Sequence, residues 1–114
     1  MATLIAQKIT QAGIQPVYAA ASAAGDLLAN TGIQYFHVKN GSGISITASV
    51  VPVTTTFTSP LLGVLVKETA TLVLAAGEDG FLGPFEVDAF NSITGTIEVE
   101  ITAVTTVTVA ALYI

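Results

Sequence analysis

The chain has 114 residues, 52% of them hydrophobic and 10% charged, with a net charge of −5 and no cysteine. That length supports one hydrophobic core rather than two, and the missing cysteines exclude disulfides, thiolate catalysis and Cys-ligated zinc. Its three lysines, Lys8, Lys39 and Lys67, are scattered; without a basic stripe to displace counterions from phosphates, no nucleic-acid partner is expected.

The charged fraction is well below the ~25% usual in soluble domains. Much of the surface must therefore be threonine, serine and alanine, a balance that points to burial against partner subunits. The opening MATLIAQKIT alternates apolar and polar residues and lacks the regions of a signal peptide, so synthesis in the cell interior is expected. No stretch approaches the ~18 consecutive apolar residues of a membrane helix, and no membrane partner is expected.

Period-two alternation rich in β-branched residues dominates the chain. In order, the predicted strands are TLIAQKI (3–9), PVYAAA (16–21), QYFHVKN (34–40), ISITASVV (44–51), LLGVLVKE (61–68) and TLVLAA (71–76), then TIEVEIT (96–102) and TVTVAALYI (106–114). The alanine-rich piece 19–29 reads as a loop with at most one helical turn, because Gly25 and Asp26 interrupt it. VPVTTTFTSP (51–60) carries prolines near both ends and reads as an exposed loop or edge strand. FLGPFEVDAFN (81–91) reads as a structural corner anchored by Phe81, Phe85 and Phe90. These signals predict an all-β fold: a single-domain β-sandwich or jelly-roll-like barrel of about eight short strands, mostly antiparallel. It spans residues 1–114, with residues 1–10 as a possible extended N-terminal arm.

Two connections read as hairpins. Asn40-Gly41 lies between two alternating runs, and both residues tolerate positive φ. AVTT (103–106) is short enough to join the last two strands antiparallel. Glu98 and Glu100 then mark a solvated strand face rather than paired catalytic carboxylates, since unpaired carboxylates in a core cost several kcal/mol.

Candidate chemistry is sparse. His37 is the sole histidine, and alternation places it with Tyr35 and Lys39 on a half-exposed polar face, opposite Phe36 and Val38. A metal site needs several converging ligands, and a triad needs a nucleophile with an orienting acid. NGSG (40–43) has no Walker lysine and no following helix. The acids of GEDG (77–80) with Glu86 and Asp88 lack the ligand spacing of an EF-hand. No enzymatic activity, cofactor or metal is expected.

The order of ATLIAQKITQAGIQPVYAAA, FHVKNGSG, LVLAAGEDGFLGPFEVDAFN and TVTVAALYI resembles head decoration (cement) proteins of tailed bacteriophages and related small virion proteins. The resemblance implies a non-enzymatic protein on the capsid exterior of the virion, made in the host bacterial cytoplasm. It would bind the major capsid protein at joints between capsomers, and it implies a homo-oligomer, with a trimer favoured. The contact candidates are the N-terminal arm, with Thr3, Leu4 and Ile5, and the segment 51–60, with Val53, Thr55 and Phe57. The arm would add a strand to a neighbour. A head-fibre base, a tail component and a carbohydrate-binding module are the other classes compatible with this composition; the module is disfavoured by the lack of tryptophan.

Overall fold

A computed structural model describes residues 2–54, 56–61 and 63–114, with the side chains of all these except Ala2, Phe57, Ser59 and Leu65. The chain is nearly all β. Its elements are β1 (Ala2–Leu4), β2 (Gln7–Lys8), β3 (Ala19–Ala20), β4 (Asp26–Ala29), β5 (Tyr35–Asn40) and β6 (Ile46–Val50). They continue with β7 (Thr56–Ser59), β8 (Gly63–Val66), β9 (Ala70–Leu74), β10 (Asp79–Leu82), α1 (Val87–Phe90), β11 (Thr96–Ile101) and β12 (Val107–Tyr113). The first sheet runs β1-β4-β11-β6-β9; the second runs β10-β5-β12-β2, with β3 also paired to β12. Both are mixed, because β1 lies parallel to β4 and β2 parallel to β12. A separate ribbon pairs β7 with β8.

One core joins the two sheets. Alternation turns Phe36 and Val38 of β5 and Val107, Val109 and Ala111 of β12 inward from the second sheet. From the first come Leu28, Ile46, Ala48, Val50, Ile97 and Val99. Each large side chain removed from water here contributes roughly 1.5–3 kcal/mol. Phe85 and Phe90 close one end edge to face, with centroids 5.3 Å apart, and Phe85 meets Phe36 at 5.9 Å. The expected Phe81–Phe85–Phe90 corner is thus built by two of its three rings, since Phe81 faces outward and is exposed.

Both expected hairpins are instead crossovers. β11 belongs to the first sheet and β12 to the second, so residues 102–106 carry the chain across the core. The Asn40-Gly41 turn likewise leads from β5 in the second sheet to β6 in the first. Strand alternation cannot separate the two topologies, because a hairpin and a crossover around a shared core both leave each strand one buried face. Neither Asn40 nor Gly41 adopts positive φ. Gly41 serves close approach: its amide donates to Thr106 O at 3.0 Å, and a Cβ would sit 2.7 Å from that same oxygen.

Three strands lie where none was assigned or only an alternative was entertained. β4 falls within the alanine-rich loop, where an inward Asp26 breaks the apolar pattern. β10 spans the end of GEDG and the start of the expected corner; a Cβ on Gly80 would sit 3.2–3.4 Å from the Leu72 and Leu74 side chains, which would have to give way. β7 fulfils the edge-strand alternative for 51–60. The arm does not project. β1 pairs with β4 and β2 with β12 of the same chain, so residues 2–8 tie one sheet to the other. Gln7 reinforces the tie by clamping the Val17 backbone through two bonds of 2.9 Å.

Asn40, only 2% exposed, is the polar anchor of the crossover end. Its Nδ2 donates toward Ile44 O, Leu74 O and Ala75 O at 2.8–3.2 Å. Its Oδ1 accepts from Ser42 N and Ser42 Oγ. Asp26 is equally buried but half satisfied: Oδ2 accepts from Ser22 N at 3.1 Å, while Oδ1 has no hydrogen-bond partner among the described residues.

Two stability outcomes follow from these groups. Asn40→Ala leaves several buried groups unpaired and should cost about 3 kcal/mol, read as a drop of roughly 10 °C in thermal unfolding. Asp26→Asn keeps the acceptor for Ser22 and removes a buried acid; the midpoint at pH 7 should rise by the equivalent of about 1 kcal/mol.

Candidate functional site

The strand registers sort the connections into two ends. Leu82 lies opposite Phe36, Ala29 opposite Thr96, and Val50 opposite Ala70. Segments 30–34, 51–69 and 83–95 therefore emerge together. Asn30 binds them from within: its Nδ2 donates to Phe85 O and Asn91 Oδ1, and its carbonyl accepts from Asn91 Nδ2. The other end holds 21–25, 41–45, 75–78 and 102–106, around Asn40.

The two ends differ in surface chemistry. On the first, Ile33, Val51, Val53, Val64, Val66 and Ile93 are all at least half exposed, Ile93 completely so. The β7–β8 ribbon carries part of this surface, with Thr56 opposite Val66 and Ser59 opposite Gly63. Among the described residues neither strand pairs with either large sheet. A two-stranded ribbon is at best marginally stable alone in water. Its root is held at two points: Thr54 N donates to Ala89 O at 2.9 Å, and Lys67 pairs with Glu86 beside the Phe90 ring. Next to it, Val51, Val53, Thr94, Thr96, Glu98 and Glu100 are among the residues lining an open cleft of about 380 Å³. The two glutamates stand on the outward face of β11, half-buried and exposed. Such an end can bury aliphatic area against another surface.

The second constellation centres on His37. Alternation places it opposite Phe36 and Val38, as expected, yet it is 8% exposed rather than half exposed. A segment folds over that sheet face and buries Ala110 and Leu112 with it. Tyr18 Oη lies 2.6 Å from His37 Nδ1, and His37 Nε2 lies 2.7 Å from Asp79 Oδ2. A carboxylate can only accept, so Nε2 carries a proton; in the neutral imidazole Nδ1 then accepts from the Tyr18 hydroxyl. Phe81, opposite His37 across the β5–β10 pair, stacks on the imidazole at 4.4 Å and 16°. Lys39 Nζ sits 4.0 Å from the centroid of the Tyr18 ring. Nothing local in the sequence announces this cluster, because Tyr18 is nineteen positions from His37 and Asp79 is forty-two.

The contact candidates are dispersed. Val53 is exposed at the apolar end, and Phe57 contributes its backbone to β7 opposite Leu65. Thr55 and the Phe57 side chain lie outside the described residues. Thr3 and Ile5 are exposed while Leu4 packs partly against the core. These three line an open groove of about 410 Å³ with Val17, Tyr18 and Ala110, away from the apolar loops. Asn40 and Gly41 sit at the opposite end. Of the acids singled out in sequence, Glu78 accepts from Ala75 N, Asp79 from His37, and Glu86 pairs with Lys67. Among the described residues no group of three histidine, aspartate or glutamate side chains converges to hold a metal. No helix among them is long and apolar enough to cross a membrane.

Comparison with protein-family models, with curated proteins and with solved structures finds no match to this chain.

Proposed function

We propose that this chain is a structural protein of a tailed-phage virion that binds the outer surface of an assembled capsid and stabilises it. The observation that carries the reading is the gathering of exposed aliphatic side chains on one end, partly on a ribbon without a sheet to join. A weakly charged surface supports it, as does one core lined by two sheets, which we infer to be a sandwich of jelly-roll-like character. The partner is the major capsid protein, and the working unit is a homo-oligomer, a trimer at three-fold joints. The role is non-enzymatic.

The mechanism is mass action. A protein that binds the closed shell but not its free subunits raises shell stability by the binding free energy. Repetition over a symmetric lattice lets modest contacts add. On docking, each half-exposed valine gives up a fraction of the ~1.5–3 kcal/mol that full burial supplies, so a few valines set the affinity.

The test mixes the purified chain with undecorated tailed-phage capsid shells. Co-sedimentation and a higher shell melting temperature are expected. The combined Val53→Ser, Val64→Ser and Val66→Ser variant should keep its own unfolding midpoint, since surface substitutions usually shift stability by no more than ~0.5 kcal/mol. It should lose at least ~10-fold in shell affinity. Absence of binding by the unaltered chain, or equal binding by the variant, overturns the reading.

A further inference from the structure

The Tyr18–His37–Asp79 cluster is more elaborate than a clamp for a covering segment requires. One hydrogen bond from Tyr18 would hold residues 16–18 in place. The structure adds a carboxylate that fixes the imidazole tautomer, an aromatic ring that fixes its plane, and an ammonium group against the phenol ring. These are the parts of an activated nucleophile: hydroxyl, base within hydrogen-bond reach, and an acid orienting the base. Tyr18 is also one wall of the open groove of about 410 Å³, whose other walls include Leu4, Ile5, Val17 and Ala110.

We propose that Tyr18 is a covalent acceptor site, its phenol taking a small apolar acyl group from an activated ester or thioester. The Tyr18 oxygen bonds to the carbonyl carbon and the bond to the leaving alkoxide or thiolate breaks, that group departing with the electron pair. The phenolic proton passes to His37 Nδ1, and Asp79 balances the resulting imidazolium. Lys39, above the ring, stabilises negative charge developing on the phenol. The imidazolium then returns its proton to the departed anion, leaving a tyrosyl ester and a neutral alcohol or thiol. The open, mostly apolar groove takes the acyl chain. This inference is independent of the capsid reading.

The chain supplies its own references, because Tyr18, Tyr35 and Tyr113 are all half-buried and only Tyr18 has the histidine. The experiment treats the intact protein with 4-nitrophenyl acetate and follows ester formation at each tyrosine by peptide mapping in a mass spectrometer. Tyr18 should react at least ~10-fold faster than the other two. His37→Gln should slow Tyr18 by about 10²-fold while leaving Tyr35 and Tyr113 unchanged, which also reports that the variant is folded. Asp79→Asn should slow Tyr18 by roughly 10-fold through loss of the oriented tautomer. A Tyr18 that reacts no faster than Tyr35 and Tyr113 in the unaltered protein overturns the proposal without any variant. An unchanged Tyr18 rate in folded His37→Gln does the same.

Discussion

The side chain of Asn40 is the interaction on which the architecture rests. Two sheets share one core only if the chain leaves one and enters the other at their ends, and each crossing releases backbone groups from the ladders. At the end where β5 stops, carbonyls of Ile44, Leu74 and Ala75 meet one buried amide, and Ser42 is held by its oxygen. The same corner receives Glu78 O on the Asn40 amide and Thr106 O on the Gly41 amide. Three connections are thereby fastened at one point, and the strands they join inherit their register from it. Asn30 performs the corresponding task at the other end.

With the corners fixed, the division of labour along the strands is simple. Inward positions fill the core, and the outward face of the second sheet is partly covered by the segment that Gln7 and Tyr18 hold down. What remains uncovered is uneven. The end fastened by Asn40 carries mostly small and polar residues with Ile44 exposed among them, whereas the end fastened by Asn30 presents several exposed aliphatic side chains. A protein with so few charges cannot keep every apolar group inside; here part of the surplus gathers on the end fastened by Asn30, while Ile5, Val17, Ile44, Val73 and Phe81 are exposed elsewhere.

Alternation made the strands legible where both faces obeyed it, as in β6 and most of β11, and in β5 and β12 through their inward face alone. It failed at β4, where an aspartate takes an inward position, and at β10, where Gly80 answers to leucines from β9 rather than to a turn. Partner choice was not legible. Asn-Gly and AVTT carry strong local turn grammar, but whether a turn returns to the same sheet is decided by the far side of the core. The placement of the proposed contact segments was legible only in part: the segment 51–60 could be recognised as exposed, while the fate of residues 2–8 depended on edges of β4 and β12 that lie far along the chain. The His37 cluster was hidden for the same reason, since three of its members come from three separate elements.

The corner at Asn40-Gly41 also bears on chemical ageing. An asparagine followed by glycine is prone to deamidate, because the glycine amide nitrogen can attack the side-chain carbonyl and expel ammonia. In the folded chain that nitrogen is committed to Thr106 O, and the Asn40 amide is immobilised among its carbonyl partners. The native state therefore shields its own weakest bond, and damage is confined to molecules that have opened. Once formed, an aspartate there would face three carbonyl oxygens with no hydrogen to offer, so a molecule that deamidates while open is hindered from closing again. Exposure to the unfolded state is thus recorded irreversibly, and over long storage the lifetime of the protein is set by how rarely this one corner comes apart.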